Sequence, residues 1–255
     1  MSKPILTEST YFSQAAEWYY MGSTQYKRFN ECEAKALAIL RGDYQAEDST
    51  ALMVGSYVDA HFSGALDLFR AQHPEIFKRD GSIKSDYEQA NYIIARIERD
   101  EAFMAALSGQ SQVIMTGEIE GVPVKIKVDE LHPDRTVDLK IMKDFADVYV
   151  PGEGYQPFWK AWGYDIQGAM YQEVRRQNDG RRVPFGIAGA TKEKPEPDIA
   201  LMELPQPVLD VALEEVRANI IHFDSLKKGL YAPEPCGKCP WCRSQKKLKG
   251  WVTLW

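Results

Sequence analysis

The chain has 255 residues, 44% of them hydrophobic and 27% charged, a balance that suits a globular protein with an ample core. Its 31 basic and 37 acidic residues leave a net charge of −6, which excludes a surface that coats nucleic acid generally and confines any DNA contact to a local groove. No apolar run reaches the length of a membrane span, and no basic region followed by an apolar core opens the chain, so a cytoplasmic protein without membrane contact is expected.

Residues 1–22 read as an irregular lead-in rich in aromatics. Ser23 or Thr24 caps a helix that runs to about Arg41 and stops at Gly42, with Cys32 in its middle. Asp48, Ser49 and Thr50 offer caps for a second helix over residues 51–72, which carries Gly55, Asp59 and His61. A loop turning at Asp80 and Gly81 follows, and Ser85 caps a third helix that reaches about Leu107. Residues 112–119 form a strand, and Glu120-Gly121 marks a hairpin into the next. There Val122, Val124, Ile126 and Val128 alternate with Pro123, Lys125, Lys127 and Asp129, the period-two pattern of a strand with one apolar face. After the polar turn His132-Pro133-Asp134-Arg135, a strand over Thr136 to Met142 puts Val137, Leu139 and Ile141 on one side and Asp138 and Lys140 on the other.

Two adjacent strands thus deliver Asp129, Asp138 and Lys140 to a shared edge. Two carboxylates can hold magnesium, and an ammonium beside them can orient or activate a water for attack on phosphate. Taken alone, Asp138-x-Lys140 is a pattern that any charged strand face produces; Glu33-Ala34-Lys35 repeats it on a helix. Glu118 is a reserve ligand on the preceding strand. A connector over residues 144–158 is long enough to border a substrate channel. The helix after it, from about Trp159 to Gln177, carries Gln167 and Tyr171 four residues apart on one face, with Tyr164 one turn earlier. An amide and a phenol so placed can bind a DNA backbone or brace the lysine. Two strands, 183–191 and 199–204, then a helix from about Pro207 to Lys228 complete the chain's elements, and Lys192 between them reads as solvated. This order predicts an α/β fold: a mixed central sheet flanked by helices. We expect a single domain, with a helical part over 1–110, a catalytic core over 111–230 and a cysteine-rich basic segment over 231–255.

Cys236, Cys239 and Cys242 stand at two-residue spacings, and Cys32 is the only other cysteine. Three thiolates so spaced point to a metal centre, and disulfides are not expected in a cytosolic chain. With Cys32 as the fourth ligand, either a four-iron cluster or a structural zinc is satisfied, clasping N- and C-terminal segments together. Arg243, Lys246, Lys247 and Lys249 follow without an acid among them and would contact phosphate beside a DNA-processing site, or remain a solvated end. Trp251 and Trp255 would stack on bases or pack the terminus.

Asp129, Asp138-Leu139-Lys140, Gln167-x-x-x-Tyr171 and the one-plus-three cysteines, in this order, resemble the PD-(D/E)XK nuclease superfamily, and within it the RecB-like and exonuclease-VIII-like DNases of phage and bacteria. The cysteine set resembles that of the iron–sulfur nucleases, although their last spacing is commonly longer, and it implies a 4Fe-4S cluster with zinc as the alternative. The resemblance implies a restriction-endonuclease-like core and a magnesium- or manganese-dependent exonuclease acting on DNA in recombination or repair. It also implies a strand-annealing or helicase partner and allows a homo-oligomer. Asp129, Asp138 and the Leu139 carbonyl would hold the metal, assisted by Asp59 or His61, and Lys140 would position or deprotonate water. The alternative is a metal-clasped DNA-binding or assembly module of nuclease descent that has lost catalysis.

Overall fold

A computed structural model describes residues 3–45, 49–248 and 250–251; Asp48, Lys249 and Trp255 lie outside the described residues. In chain order the helices are α1 (Gln14–Tyr19), α2 (Ser23–Glu31), α3 (Glu33–Arg41), α4 (Thr50–Phe62), α5 (Leu66–Gln72), α6 (Ser85–Glu98), α7 (Glu101–Ala106), α8 (Phe158–Ala161), α9 (Tyr164–Asp179), α10 (Gln206–Lys227) and α11 (Pro240–Ser244). The strands are β1 (Gln110–Ile119), β2 (Val122–Leu131), β3 (Thr136–Met142), β4 (Val148–Val150), β5 (Gly154–Gln156), β6 (Phe185–Thr191) and β7 (Ile199–Glu203). They form two compact units, one of Met1–Ala46, Glu118–Val124 and Arg217–Trp255, the other of Glu47–Gly117 and Lys125–Val216. No helix among the described residues is long and apolar enough to cross a membrane.

Three helices that the apolar stripe predicts as continuous are each broken in two. Cys32 takes an extended backbone, and its Sγ accepts the Lys35 N–H at 3.4 Å, so it ends α2 and caps α3. Ser63 and Gly64 interrupt the second between α4 and α5. Asp100 accepts the Phe103 N–H at 2.9 Å and opens α7 as a new helix. In each case the hydrophobic pattern runs on across the break, while a small residue or a local cap satisfies the freed backbone groups. The lead-in contains α1, capped by Ser13. The segment from Trp159 also divides, into α8 and α9, and the connector before it folds as the hairpin β4–β5.

The second unit holds most of a five-stranded sheet of order β1-β2-β3-β6-β7. β3 runs parallel to β6 and antiparallel to β2, and β6 is antiparallel to β7, so the sheet is mixed as expected. A parallel neighbour requires a crossover, and the chain between β3 and β6 supplies one through α8 and α9. On one face Val137, Leu139, Ala188 and Ala190 pack against Val54, Tyr57 and Val58 of α4 and Ile93, Ile94 and Ile97 of α6. α9 lies on the other face, with Tyr171 edge-on to Phe185 at 5.9 Å.

Arg175 of α9 is buried, and its guanidinium donates to the Arg135 carbonyl (2.6 Å), the Thr136 hydroxyl (3.0 Å) and the His132 carbonyl, and pairs with Asp179 (2.9 Å). It ties the β2–β3 turn to the helix. Arg175→Met leaves those carbonyls without a donor and is expected to cost about 3 kcal/mol in chemical denaturation. Arg176→Met, which removes a pair between an exposed arginine and Glu173, should shift the denaturation midpoint far less.

In the first unit Tyr26 and Phe29 of α2 pack on Phe223 of α10, with ring centroids 5.2 and 5.5 Å apart. The Lys227 ammonium donates to the Tyr20 carbonyl and to Gln25. Glu33 pairs with His222 at 2.8 Å and accepts the Glu234 N–H at 2.8 Å. That carboxylate draws the chain beyond α10 alongside α3, where the cysteines meet.

Candidate active site and metal centre

The site begins where two strands part. β2 pairs with β3 through Glu130 and Val137 and through Leu131 and Thr136, so it continues past its expected end at Asp129. One step further along β3, the Leu139 N–H donates to the Asp129 carboxylate, Oδ2, at 3.0 Å. The Thr136 N–H and the Met142 carbonyl bond on the β6 side, to Pro184 and Lys192. Main-chain groups alternate between the two sides of a strand, so the Leu139 carbonyl opens towards β2, into the gap that Asp129 occupies.

Asp138 is 1% exposed. Its Oδ1 accepts from Gln167 Nε2 at 2.7 Å, and its Oδ2 is ion-paired with the Lys140 ammonium. That ammonium also lies 5.5 Å from the centre of the Tyr164 ring. The Tyr171 hydroxyl donates to the Lys127 carbonyl at 2.9 Å, so it braces β2. Asp59 reaches the same group from α4: burial raises its carboxyl, Lys127 and Lys140 oppose the rise, and Asp138 adds to it. Asp129 stands well above the usual carboxylate range, through burial and then through its neighbours Asp138 and Asp59. Burial pulls Lys140 down, but Asp138 and Asp129 outweigh it and hold the group above an ordinary lysine, so it stays an ammonium.

Three carboxylates therefore gather round Lys140, with Lys127 facing Asp59, and two of them are still raised because burial and mutual repulsion penalise their charge. A divalent cation is the charge that relieves this, and the donors available are all oxygens: Asp59, Asp129, Asp138 and the Leu139 carbonyl. Such a set suits magnesium or manganese.

His61 is not part of this group; its Nε2 lies 2.9 Å from Glu98 Oε1, and its ring packs edge-on to Phe62. Glu118 is exposed and falls in the other compact unit. Lys192 is not solvated as the sequence suggests: it is half-buried, and its ammonium donates to the Ala51 carbonyl at 2.8 Å. Lys127, which faces Asp59 electrostatically, and Glu130 are the residues that sequence reasoning passed over. Glu130 is buried, and its carboxyl is raised to about 7 by burial, against a hydrogen bond with Ser111 and with the help of Asp59. Its signal was an acid at the next apolar-parity position after Val122, Val124, Ile126 and Val128.

The four cysteines come together in the first unit, their sulfurs all within 4.8 Å of one another. Cys32 Sγ lies 3.5 Å from Cys242 Sγ and 3.9 Å from Cys239 Sγ, and Cys236 lies 3.9 Å from Cys242. Thiolates sharing one tetrahedral ion at a bond length of about 2.3 Å stand ~3.8 Å apart. Around a four-iron cubane each thiolate binds its own iron, and the sulfurs stand on the order of 6 Å apart. All four sulfurs are close enough to meet at one metal centre. Backbone N–H groups of Lys238 and Cys239 lower the Cys236 thiol to about 6, while burial pushes Cys239 up to about 12 and also raises Cys32. The 240–244 helix, α11, is what turns Cys242 back towards Cys239: the Cys242 N–H donates to Cys239 Sγ at 3.4 Å.

No curated protein matches the sequence. The chain is similar to a protein of Eubacterium rectale whose crystal structure describes it as a "Putative exonuclease": 45% of residues are identical, the alignment covers 98% of this chain and 97% of that one, and the TM-score is 0.93. The family described as "PDDEXK-like domain of unknown function (DUF3799)" matches residues 22–245. With its strand fork, its paired acids and lysine and its mixed sheet all inside that span, the chain belongs to this PDDEXK-like family.

Proposed function

We propose that the chain is a magnesium-dependent DNA nuclease, and within that class an exonuclease, the activity named for its Eubacterium rectale relative. The observation that carries the reading is the convergence of Asp129, Asp138, Lys140 and Gln167 at the fork between β2 and β3. Asp59, Asp129, Asp138 and the Leu139 carbonyl would hold the metal, which when bound supplies charge to stabilise the phosphate and its leaving oxygen. Lys140, kept as an ammonium, orients the attacking water and the phosphate oxygens rather than removing a proton in the resting state. Gln167 fixes the rotamer of Asp138, and Tyr171 fixes β2 through the Lys127 carbonyl. The recombination setting and an annealing or helicase partner rest on the resemblance alone.

The test is digestion of end-labelled single-stranded and duplex DNA and of closed plasmid, with magnesium and with chelator. Metal-dependent loss of label from linear substrates supports an exonuclease; cleavage of the closed plasmid favours an endonuclease. Absence of cleavage on every DNA form at saturating magnesium leaves the non-catalytic module as the reading. Gln167→Leu keeps the helix but frees Asp138, and kcat should fall by about 10–100-fold with KM unchanged, the usual cost of losing a group that orients a metal ligand. Asp59→Asn should raise the magnesium concentration for half-maximal rate, whereas His61→Ala, which only releases Glu98, should not.

The sulfur spacing supports a single structural zinc over a 4Fe-4S cluster at the cysteine centre.

A further inference from the structure

Between β3, which carries Lys140, and α9, which carries Gln167, the chain makes a hairpin that belongs to no larger sheet. Val148 pairs with Gln156, Tyr149 with Tyr155 and Val150 with Gly154. The two tyrosines therefore stand directly opposite each other on one face, with ring centroids 5.6 Å apart in a T-shape. Tyr149 is 61% exposed and Tyr155 74%. An isolated two-stranded hairpin is marginal in water, and large aromatic rings held in solvent gain little from folding. Their placement calls for an occupant.

The root of the hairpin is fixed beside the active site. Gly189 of β6 is the register partner of Lys140, and a Cβ there would come within 2.9 Å of the Phe145 ring. Phe145 thus lies over the backbone next to Lys140, in a space that only glycine leaves open. Phe145 packs on Phe158 at 6.0 Å, Phe158 on Tyr164 at 6.4 Å, and Tyr164 lies against the Lys140 ammonium. A continuous run of rings links the base of the hairpin to the lysine.

Charge narrows what the exposed rings take. Asp144, Asp147 and Glu153 outnumber Lys143 along the segment, and Lys143 is paired with Asp144 at 3.1 Å. Such a surface disfavours a contact made through phosphates, so a strand bound here would turn its bases to the rings and its backbone away. The flat π-faces of bases carry no such penalty, and they stack on aromatic side chains with about 1–3 kcal/mol per base. In a duplex those faces are already stacked on one another, so only unpaired nucleotides offer them.

We propose that Tyr149 and Tyr155 form a base-stacking clamp that receives unpaired nucleotides and leads a single-stranded or frayed DNA end towards Lys140. The proposal rests on the nuclease reading for its substrate, but its test does not need cleavage. Fluorescence anisotropy with a labelled single-stranded oligonucleotide, in calcium to block turnover, compares the wild-type protein with the Tyr149→Ala/Tyr155→Ala double variant. Stacking of one base on each ring predicts that Kd for the single strand weakens by at least about tenfold, while a blunt duplex is bound as before. Tyr149→Trp/Tyr155→Trp should restore single-strand binding, since it returns the stacking surface without the hydroxyls. Where the wild type cleaves, KM on single strands should rise in the alanine variant with kcat unchanged. Unchanged single-strand binding overturns the clamp, as does equal weakening on single strand and duplex, which would mark a general backbone contact. A shift of the wild type from oligomer to monomer in the double variant, without loss of DNA binding, would instead make the pair a contact between copies of the chain. Absence of cleavage by the wild type on all DNA, with single-strand binding that still weakens in the alanine variant, would overturn the nuclease reading and leave the clamp standing.

Discussion

Lys140→Met is expected to abolish DNA cleavage while leaving magnesium bound, and Asp138→Asn to lose both. The two residues touch, yet they enter the site with opposite charge. Asparagine keeps the shape of Asp138 and still offers an oxygen to Gln167 Nε2, so the buried packing survives. What it removes is a charged oxygen donor, and magnesium, a hard cation, is held by such donors. Methionine at position 140 preserves contact with the Tyr164 ring but takes away the ammonium that is paired with Asp138. The site becomes more negative, so its affinity for a divalent cation should be unchanged or higher. Loss of the group that orients water and offsets charge on the phosphate should lower kcat by about 10³-fold or more. Calorimetric titration with magnesium and single-turnover cleavage separate the two effects. Near-normal turnover in Lys140→Met would remove the lysine from the chemistry. Equal loss of magnesium in both variants would reduce it to a structural counter-ion. Thermal melts of both proteins in chelator guard against misfolding.

What the sequence disclosed was whatever depends on parity and local spacing. Alternation in β2 and β3 put Asp129 opposite Asp138 and Lys140, and four-residue spacing put Gln167 and Tyr171 on one helix face; the structure brings all five to one region. Long-range geometry was hidden. That β2 and β3 part beyond Glu130, leaving Asp129 to take the Leu139 N–H, depends on a pairing that no local pattern encodes. The breaks at Cys32 and Asp100 were masked because an apolar stripe continues through them, although both residues carry acceptors able to cap a helix. Nothing in the helix's local pattern singles out Arg175; only the folded turn at His132 to Thr136 gives its guanidinium these acceptors. The β4–β5 hairpin was lost for a different reason. Its strands are three residues each, too short for alternation to register.

Cys32→Ser should release the metal of the cysteine centre and unfold the first unit at a temperature where the wild type is intact. The ligands come from positions 32 and 236–242, so the metal closes a loop of roughly 200 residues. A cross-link over a loop of that size restricts the unfolded chain by about 5 kcal/mol on the entropic account. The direct metal–thiolate free energy adds to it, since ligands scattered along an unfolded chain bind metal poorly. Against this, serine replaces a sulfur that is 4% exposed and packed on three others, and its hydroxyl is a poor ligand for a thiolate-selective ion. The expected result is a protein without bound metal that melts well below the wild type and is cut first by protease within residues 1–46 or beyond 217. Asp138→Asn, altered only at the active site, should keep both its clasp metal and its melting temperature. Three sulfur separations of 3.5–3.9 Å, in a set that lies within 4.8 Å, predict about one zinc per chain in protein purified without oxygen from cells supplied with both metals. Four irons per chain with broad visible absorption would show that the centre opens to hold a cubane, and the spacing argument would fail while the clasp stood. A Cys32→Ser protein as stable as the wild type would remove the clasp itself, and return the four thiols to ordinary packing.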